Sequence, residues 1–245
     1  MTRLKNHFAS FHDVFCKTEE RVTKAIEIAA LLIAFTYSSF FEWYVHRYIM
    51  HVKRSFPLSD AFRGHTLVHH QIYRWDQTFE AQGPGRPQHV ALRWYAFPSM
   101  VVCHLPIFWV MQMVTHLPIM WPMLGGCTLY FIGYEYTHYL MHVPKGHYVE
   151  RYRAFRFIKE HHRLHHKYMM RNLNVFIPLA DVCFGTLVTS EGWRSKPEKR
   201  ARFLMKRHGQ GPKPGAKDVE FAKAEVAKAR ALQASKAEDK EKVEV

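Results

Sequence analysis

Ten of the eighteen histidines in this chain fall into four tight sets, and imidazole is the commonest metal ligand among protein side chains. The spacings within the sets are H-x4-H, H-x3-H-H, H-x3-H and H-x2-H-H. Ten convergent imidazoles are enough to saturate two metal ions and still leave room for an exchangeable ligand. The ten residues are His46, His51, His65, His69, His70, His138, His142, His162, His165 and His166.

The spacings also predict which side chains point the same way. Residues three or four positions apart share one face of an α-helix, so the last two sets are each expected to present a single histidine face. His65 and His69 are similarly placed. His161 directly precedes His162, and on a helix it points about 100° away from it. We therefore interpret His161 as a substituted ligand or as a group behind the ligands.

Three carboxylates lie close to these sets in sequence. Glu42 comes four residues before His46, Glu135 comes three residues before His138, and Asp181 interrupts an apolar run. A ligating imidazole usually donates its second N–H to a carboxylate or a carbonyl. We therefore predict that these acids support the ligands from behind, and the alternative is that the two glutamates contact solvent or a lysine at a membrane boundary.

The sequence does not select the metal. The four cysteines are scattered without a C-x-x-C pair, which excludes a thiolate zinc site and a disulfide framework. Imidazole suits zinc, iron, copper and nickel alike.

The longest uncharged stretch of the chain indicates that membrane helices position the histidines. No Asp, Glu, Lys or Arg occurs from Trp94 to Tyr134. One helix over that stretch would be about 60 Å long, twice the roughly 30 Å hydrocarbon core of a bilayer. We therefore predict two spans folded back on each other, with a break near Pro118 and Pro122. A third apolar segment, residues 26–45, is expected to span the membrane or to insert partway.

Charge predicts the orientation of the chain. The formal net charge is +14, and residues 194–245 hold fifteen Lys and Arg against eight Asp and Glu. The loop of residues 47–93 is also basic, and the positive-inside rule places both segments on the cytoplasmic face. Contact with anionic headgroups explains this charge better than nucleic-acid binding does. The predicted organisation is an interfacial segment over residues 1–24, a membrane domain over 25–193, and a charged tail over 194–245 that is helical or disordered.

Together with their flanking residues, the four sets resemble the histidine boxes of the fatty acid hydroxylase and sterol desaturase superfamily, whose members are membrane di-iron oxygenases. The segments EWYVHRYIMH, YEYTHYLMH and HHRLHH look like the first, third and fourth boxes of that family. The segment LADVCFGTL is similar to the one that follows its last box. The resemblance covers residues 42–187. The thirteen residues between His51 and His65, together with the x3 spacing of the third set, favour the fatty acid hydroxylases within the superfamily.

The resemblance implies an all-α integral membrane protein, in which three to four membrane-inserted helices carry a histidine-rich cytosolic helical cap around a dimetal site. It implies that the ten histidines are metal ligands and carry the catalysis, and that the cofactors are two iron ions, although zinc can occupy such a site in isolated protein. The implied reaction is an O2-dependent attack on an unactivated C–H bond of a fatty-acyl or sphingolipid chain in the bilayer. We expect a separate electron donor of the cytochrome b5, ferredoxin or reductase type. Endoplasmic reticulum and bacterial inner membrane are equally compatible with the sequence.

Two other interpretations remain open at this point. A carotenoid hydroxylase or a sterol desaturase or oxidase would use the same centre. A metal transporter or a non-catalytic metal-binding protein would differ in class. Transport predicts ionisable ligands deep inside the spans, and the middle of the uncharged stretch holds only His104 and His116.

Overall fold

A computed structural model describes residues 2–81, 90–191, 216–217, 219–228 and 231, with side chains described from residue 17 onward. Every regular element in these residues is helical, which confirms the all-α part of the predicted fold. The α-helices are α1 (Thr2–Val45), α2 (Ser59–Phe62), α3 (His70–Ile72), α4 (Ala96–Thr115), α5 (Met120–His142), α6 (Arg153–Lys167) and α7 (Leu179–Cys183). Two π-helices, His46–Met50 and Arg63–His69, directly follow α1 and α2, and a 3-10 helix, Tyr148–Arg151, precedes α6.

Among the described residues, two helical stretches are long and apolar enough to cross a membrane, judged by length and composition alone. They are Lys17–Met50 and Ala96–Thr115. The uncharged stretch breaks where its prolines predict a break: α4 ends at Thr115, His116 adopts a left-handed conformation with φ 55°, and α5 begins at Met120. The total of three to four inserted helices and the cytoplasmic orientation stay predictions.

The chain divides into two compact units, and the first consists of residues 1–38 and 93–132. At Gly126 an added Cβ would lie 2.4 Å from the carbonyl oxygen of Leu31, so α1 and α5 approach each other there at backbone distance. This close approach requires glycine, because any side chain would overlap a backbone atom. The core of this unit contains Ala30, Ala34, Phe108, Ile119, Met123 and Cys127.

The second unit, residues 39–92 and 133–245, contains all ten histidines of the four sets. Leu140, Met141 and Leu164 are among its fully buried side chains. These apolar residues alternate with the histidines along α5 and α6, so each helix buries apolar and imidazole side chains together. The high burial of imidazole in this unit is the feature that distinguishes it from an ordinary helical core.

In the charged tail, residues 219–228 are helical. Ala222 is only 8% exposed and lies in one apolar cluster with Val68 and Tyr73, and Val226 packs against the same cluster. The remaining residues of the predicted tail lie almost entirely outside the described residues. This short helix therefore packs against the rest of the second unit through its apolar side.

Candidate metal centre

The structure brings the ten histidines together, and nine of them form two groups. In each group one ring nitrogen per residue lies within 4.8 Å of all the others. His166 is the tenth, and it lies beside both groups: its Nε2 is 3.0 Å from Nε2 of His162, and its ring centroid is 4.2 Å from that of His70. The five-histidine group consists of His46, His51, His65, His70 and His165, and the four-histidine group consists of His69, His138, His142 and His162.

Two π-helical turns build most of the five-histidine group. The backbone N–H of His51 donates to the carbonyl of His46 at 3.1 Å, and the N–H of His70 donates to the carbonyl of His65. Both are bonds between residues five positions apart, which widen the turn and bring residues i and i+5 onto one face. The turns therefore align His46 with His51 and His65 with His70, a pairing that α-helical geometry does not predict.

Neighbouring histidines of one set serve different groups. His69 belongs to the four-histidine group, whereas the next residue, His70, belongs to the five-histidine group. In α6 the rings of His162 and His165 stack with centroids 5.7 Å apart and planes 17° apart, yet they too belong to different groups. Histidines that share a helix face thus lie side by side across two adjacent groups.

Backbone carbonyls fix the tautomer of four of these histidines. A carbonyl oxygen only accepts hydrogen bonds, so each Nδ1 that contacts one must carry the proton. In a neutral ring the Nε2 then has a lone pair, and this lone pair is directed toward the other histidines. The pairs are His46 with Leu173, His142 with Phe79 at 2.7 Å, His165 with Arg171 at 2.8 Å, and His166 with Tyr73.

The Nε2 atoms of the five-histidine group lie at hydrogen-bond distance from one another, but no placement of protons on neutral rings satisfies every contact. The distances are 2.8 Å from His46 to His65, 3.1 Å from His65 to His70, 3.2 Å from His70 to His165, and 3.1 Å from His165 to His51. Because neutral His46 and His165 present lone pairs, these four contacts cannot all be hydrogen bonds. Metal–nitrogen bonds of about 2.1 Å would separate adjacent ligand atoms by about 3.0 Å in an octahedron and about 3.4 Å in a tetrahedron. The observed spacing therefore fits a cation between the rings.

Protonation and unpaired nitrogens also favour a cation. Burial, and then the neighbouring imidazoles, lower the pKa of His65, His70 and His162 well below the usual value, so these rings are neutral at pH 7. Both ring nitrogens of His138 and the Nδ1 of His162 are buried without a hydrogen-bond partner in the described residues. Each such nitrogen costs about 1–3 kcal/mol if it stays unpaired. The residues therefore fit metal ions, and the all-imidazole donor set suits zinc, iron, copper and nickel.

Asp181 lies behind the histidine groups and is fully buried. Its Oδ1 accepts the backbone N–H of Leu173 at 2.9 Å, and its Oδ2 accepts that of Asn174 at 2.7 Å. The Nε2 of His161 lies 3.1 Å from the same Oδ2, so His161 faces Asp181 and is in neither group. Burial alone would raise the pKa of Asp181, but hydrogen bonds from His161, Thr186 and Asn174 outweigh it and lower the pKa. The carboxylate is therefore ionised at neutral pH.

The two predicted glutamates bind loop segments of the second unit. Glu42 accepts hydrogen bonds from the side-chain amide of Asn174, at 3.1 Å, and from the backbone N–H of Val175. The two carboxylate oxygens of Glu135 each lie 3.3 Å from the backbone N–H of Leu92. Glu135 thus binds the backbone of a loop, and these two contacts do not involve a ring nitrogen of His138.

Two asparagines near the site were not predicted from the sequence. Asn172 has a positive φ of 53°, and its buried side chain donates to the carbonyls of His161, at 2.9 Å, and Val188, at 2.8 Å. Asn174 accepts the backbone N–H of Asp181 at 3.0 Å. Asparagine tolerates the left-handed region better than most residues do. The available signal was the pair of amides in NLN, directly before an apolar run.

Comparison with known proteins found no match to this chain. No family model, no curated protein and no solved structure matches the chain. The resemblance to membrane di-iron oxygenases therefore rests on the histidine sets and the segments around them.

Proposed function

We propose that this protein is a membrane-bound di-iron oxygenase that hydroxylates an unactivated C–H bond of a fatty-acyl or sphingolipid chain. The observation that carries the proposal is the pair of adjacent histidine groups. Neither group includes a carboxylate or a thiolate, so each is an all-imidazole set. A structural zinc site would be closed by four ligands, commonly including cysteine. Two neighbouring ions held by neutral imidazoles suit redox chemistry better than they suit a structural role.

The contacts indicate the role that each group would have in the reaction. When bound, two iron ions would supply the activation of O2. The histidines would hold the ions, the carbonyls of Leu173, Phe79 and Arg171 orient the rings through Nδ1, and burial of the groups limits access of bulk water. Overall, one oxygen atom enters the C–H bond and the other leaves as water, with two electrons and two protons taken up. A separate donor protein of the cytochrome b5, ferredoxin or reductase type delivers the electrons.

Outward-facing apolar side chains support a lipid substrate. In the first unit Val102, Val114 and Trp121 are 71%, 74% and 67% exposed. In water such surface favours association between molecules, whereas in a bilayer it contacts lipid tails. Helix α5 contains Trp121 near its start and His138 near its end, so a single helix carries both apolar surface and a metal ligand. This arrangement favours a substrate whose chain stays in the membrane.

A transport function is less consistent with where the histidines lie. A metal path would need ligands along the apolar helices. The buried histidine of α4, His104, contacts the Met100 carbonyl at 2.8 Å and the Tyr37 hydroxyl at 3.3 Å. It thus joins neighbouring elements of the first unit by hydrogen bonds, and the two groups of ligands are confined to the second unit.

The proposal is tested by measuring metal content and O2-dependent products together. Cells that express the chain, with a reducing system supplied, should yield a lipid that contains one oxygen atom from labelled O2. We expect His138→Ala to abolish this product and to lower bound metal. His116→Asn is the matched control, because His116 is exposed, lies outside both groups, and has a left-handed conformation that asparagine tolerates. The proposal would be contradicted if the wild type formed no product that depends on O2, or if His138→Ala kept full activity.

A further inference from the structure

Residues 171–174, which we call the carbonyl segment, support two ligands of the same group. The carbonyl of Arg171 accepts the Nδ1–H of His165, and two residues later the carbonyl of Leu173 accepts the Nδ1–H of His46. Both histidines belong to the five-histidine group. The orientation of this group therefore depends on the position of one short stretch of backbone.

Asp181 fixes that stretch from the opposite side. The residue whose carbonyl orients His46, Leu173, donates its own N–H to Oδ1 of Asp181 at 2.9 Å. Asn174 donates its N–H to Oδ2 at 2.7 Å and accepts the backbone N–H of Asp181 at 3.0 Å, which closes a ring of hydrogen bonds. His161 and Thr186 supply two further donors to the same carboxylate. Four donors converge on the two oxygens, so only an ionised carboxylate satisfies them all.

We propose that Asp181 is a positioning residue for the five-histidine group, acting through the carbonyl segment and selectively for that group. The four-histidine group has a different support, because His142 is oriented by the carbonyl of Phe79. This inference rests on the proposed metal centre and is independent of the oxidation reaction.

The substitution Asp181→Asn isolates this role. It keeps the shape of the side chain and replaces one acceptor oxygen by an NH2 group, which would then face two donors. Either pair, Leu173 with Thr186 or Asn174 with His161, would lose its acceptor. Substitution of groups that orient metal ligands lowers affinity about 10- to 100-fold. Because Asp181 acts through one intervening residue, we expect about a 10-fold loss of affinity, confined to the five-histidine group.

A matched control separates positioning from general stability. Ser39 is as deeply buried as Asp181, and its hydroxyl donates to the Ile177 carbonyl at 2.8 Å and accepts the Ala180 N–H at 3.3 Å. Ser39→Ala therefore removes buried hydrogen bonds next to Asp181 without touching the four donors of its carboxylate. If Asp181→Asn does not accumulate as folded protein, Thr186→Val removes one of those donors and is expected to weaken the same group by a smaller factor.

The experiment titrates Co2+ into the purified, metal-stripped full chain and follows both stoichiometry and the visible absorption spectrum. Support requires that Asp181→Asn bind one ion as the wild type does and a second about 10-fold more weakly, with altered absorption, while Ser39→Ala behaves as the wild type. Two unaltered ions in Asp181→Asn would overturn the inference, and so would equal losses in both variants. Failure of the wild type to bind Co2+, zinc or iron would instead refute the proposed metal centre itself.

Discussion

The neighbours His161 and His162 provide the sharpest test of which histidines bind metal. The substitutions His161→Phe and His162→Phe remove both ring nitrogens at adjacent positions of α6 and keep a planar ring. His161 faces Asp181, whereas the Nε2 of His162 lies 3.1 Å from that of His142. The two variants should therefore differ in metal content, even though they share a doublet in the sequence.

The magnitude for His161→Phe follows from what remains around Asp181. One hydrogen bond to an ionised group is lost, worth about 1.5–3 kcal/mol. The carboxylate keeps its bonds from Leu173, Asn174 and Thr186, so it is not left unpaired. We expect the free energy of unfolding to fall by about that amount. Both groups should still fill at saturating metal, because loss of one donor to Asp181 weakens the five-histidine group only by the small factor expected for Thr186→Val. His162→Phe removes a ligand and should lower the metal bound to the four-histidine group.

The assay combines elemental analysis of the purified chain with thermal unfolding in detergent, both performed on the two variants in parallel. Each variant is compared with the wild type in metal content per chain and in unfolding midpoint. Equal loss of metal in the two variants would refute the assignment of His161 to a place behind the ligands. Wild-type metal content in His162→Phe would refute the four-histidine group.

Three further predictions concern packing and metal removal. Gly126→Ala places a Cβ against the Leu31 carbonyl and should destabilise the protein by about 1–3 kcal/mol, whereas Gly125→Ala meets no atom within 4 Å and should be neutral or slightly stabilising in chemical denaturation. Ala222→Arg introduces a long charged side chain into a buried position, and limited proteolysis should then cleave near residues 219–228 faster than in the wild type. Chelation should lower the unfolding midpoint, because a site at 100 times its Kd adds about 2.7 kcal/mol of stability; an unchanged midpoint would contradict resident metal.

Periodicity was sufficient to single out the ten histidines, but not to divide them into groups. Spacing of three or four residues is interpreted on α-helical geometry, and the pairs His46 with His51 and His65 with His70 lie in π-turns. A π-turn depends on how the surrounding structure packs, and no local residue pattern encodes it here. The structure brings the ten residues together, and their binding of metal stays a prediction.

Polar residues inside apolar stretches were the most informative signals outside the histidine sets. Asp181 stood out because it interrupts an apolar run, and the structure gives it four donors. The acceptors that orient the rings could not be predicted, because every residue has a carbonyl and only the fold determines which ones face a ligand. The tail offers the opposite case: its composition predicted a charged segment, helical or disordered, and gave no sign that Ala222 packs in an apolar cluster with Val68 and Tyr73.

The doublet His69–His70 has a mechanical consequence for metal uptake. Its two Cα atoms are joined by one peptide unit, which fixes their separation at about 3.8 Å. Since one ring serves each group, an ion that immobilises either ring also restrains the backbone from which the other extends. Binding of the first ion thus restricts this backbone, so binding of the second ion costs less conformational entropy. Ordering of this shared backbone therefore favours loading of the second group, and it opposes the repulsion between two cations that are held by neutral imidazoles.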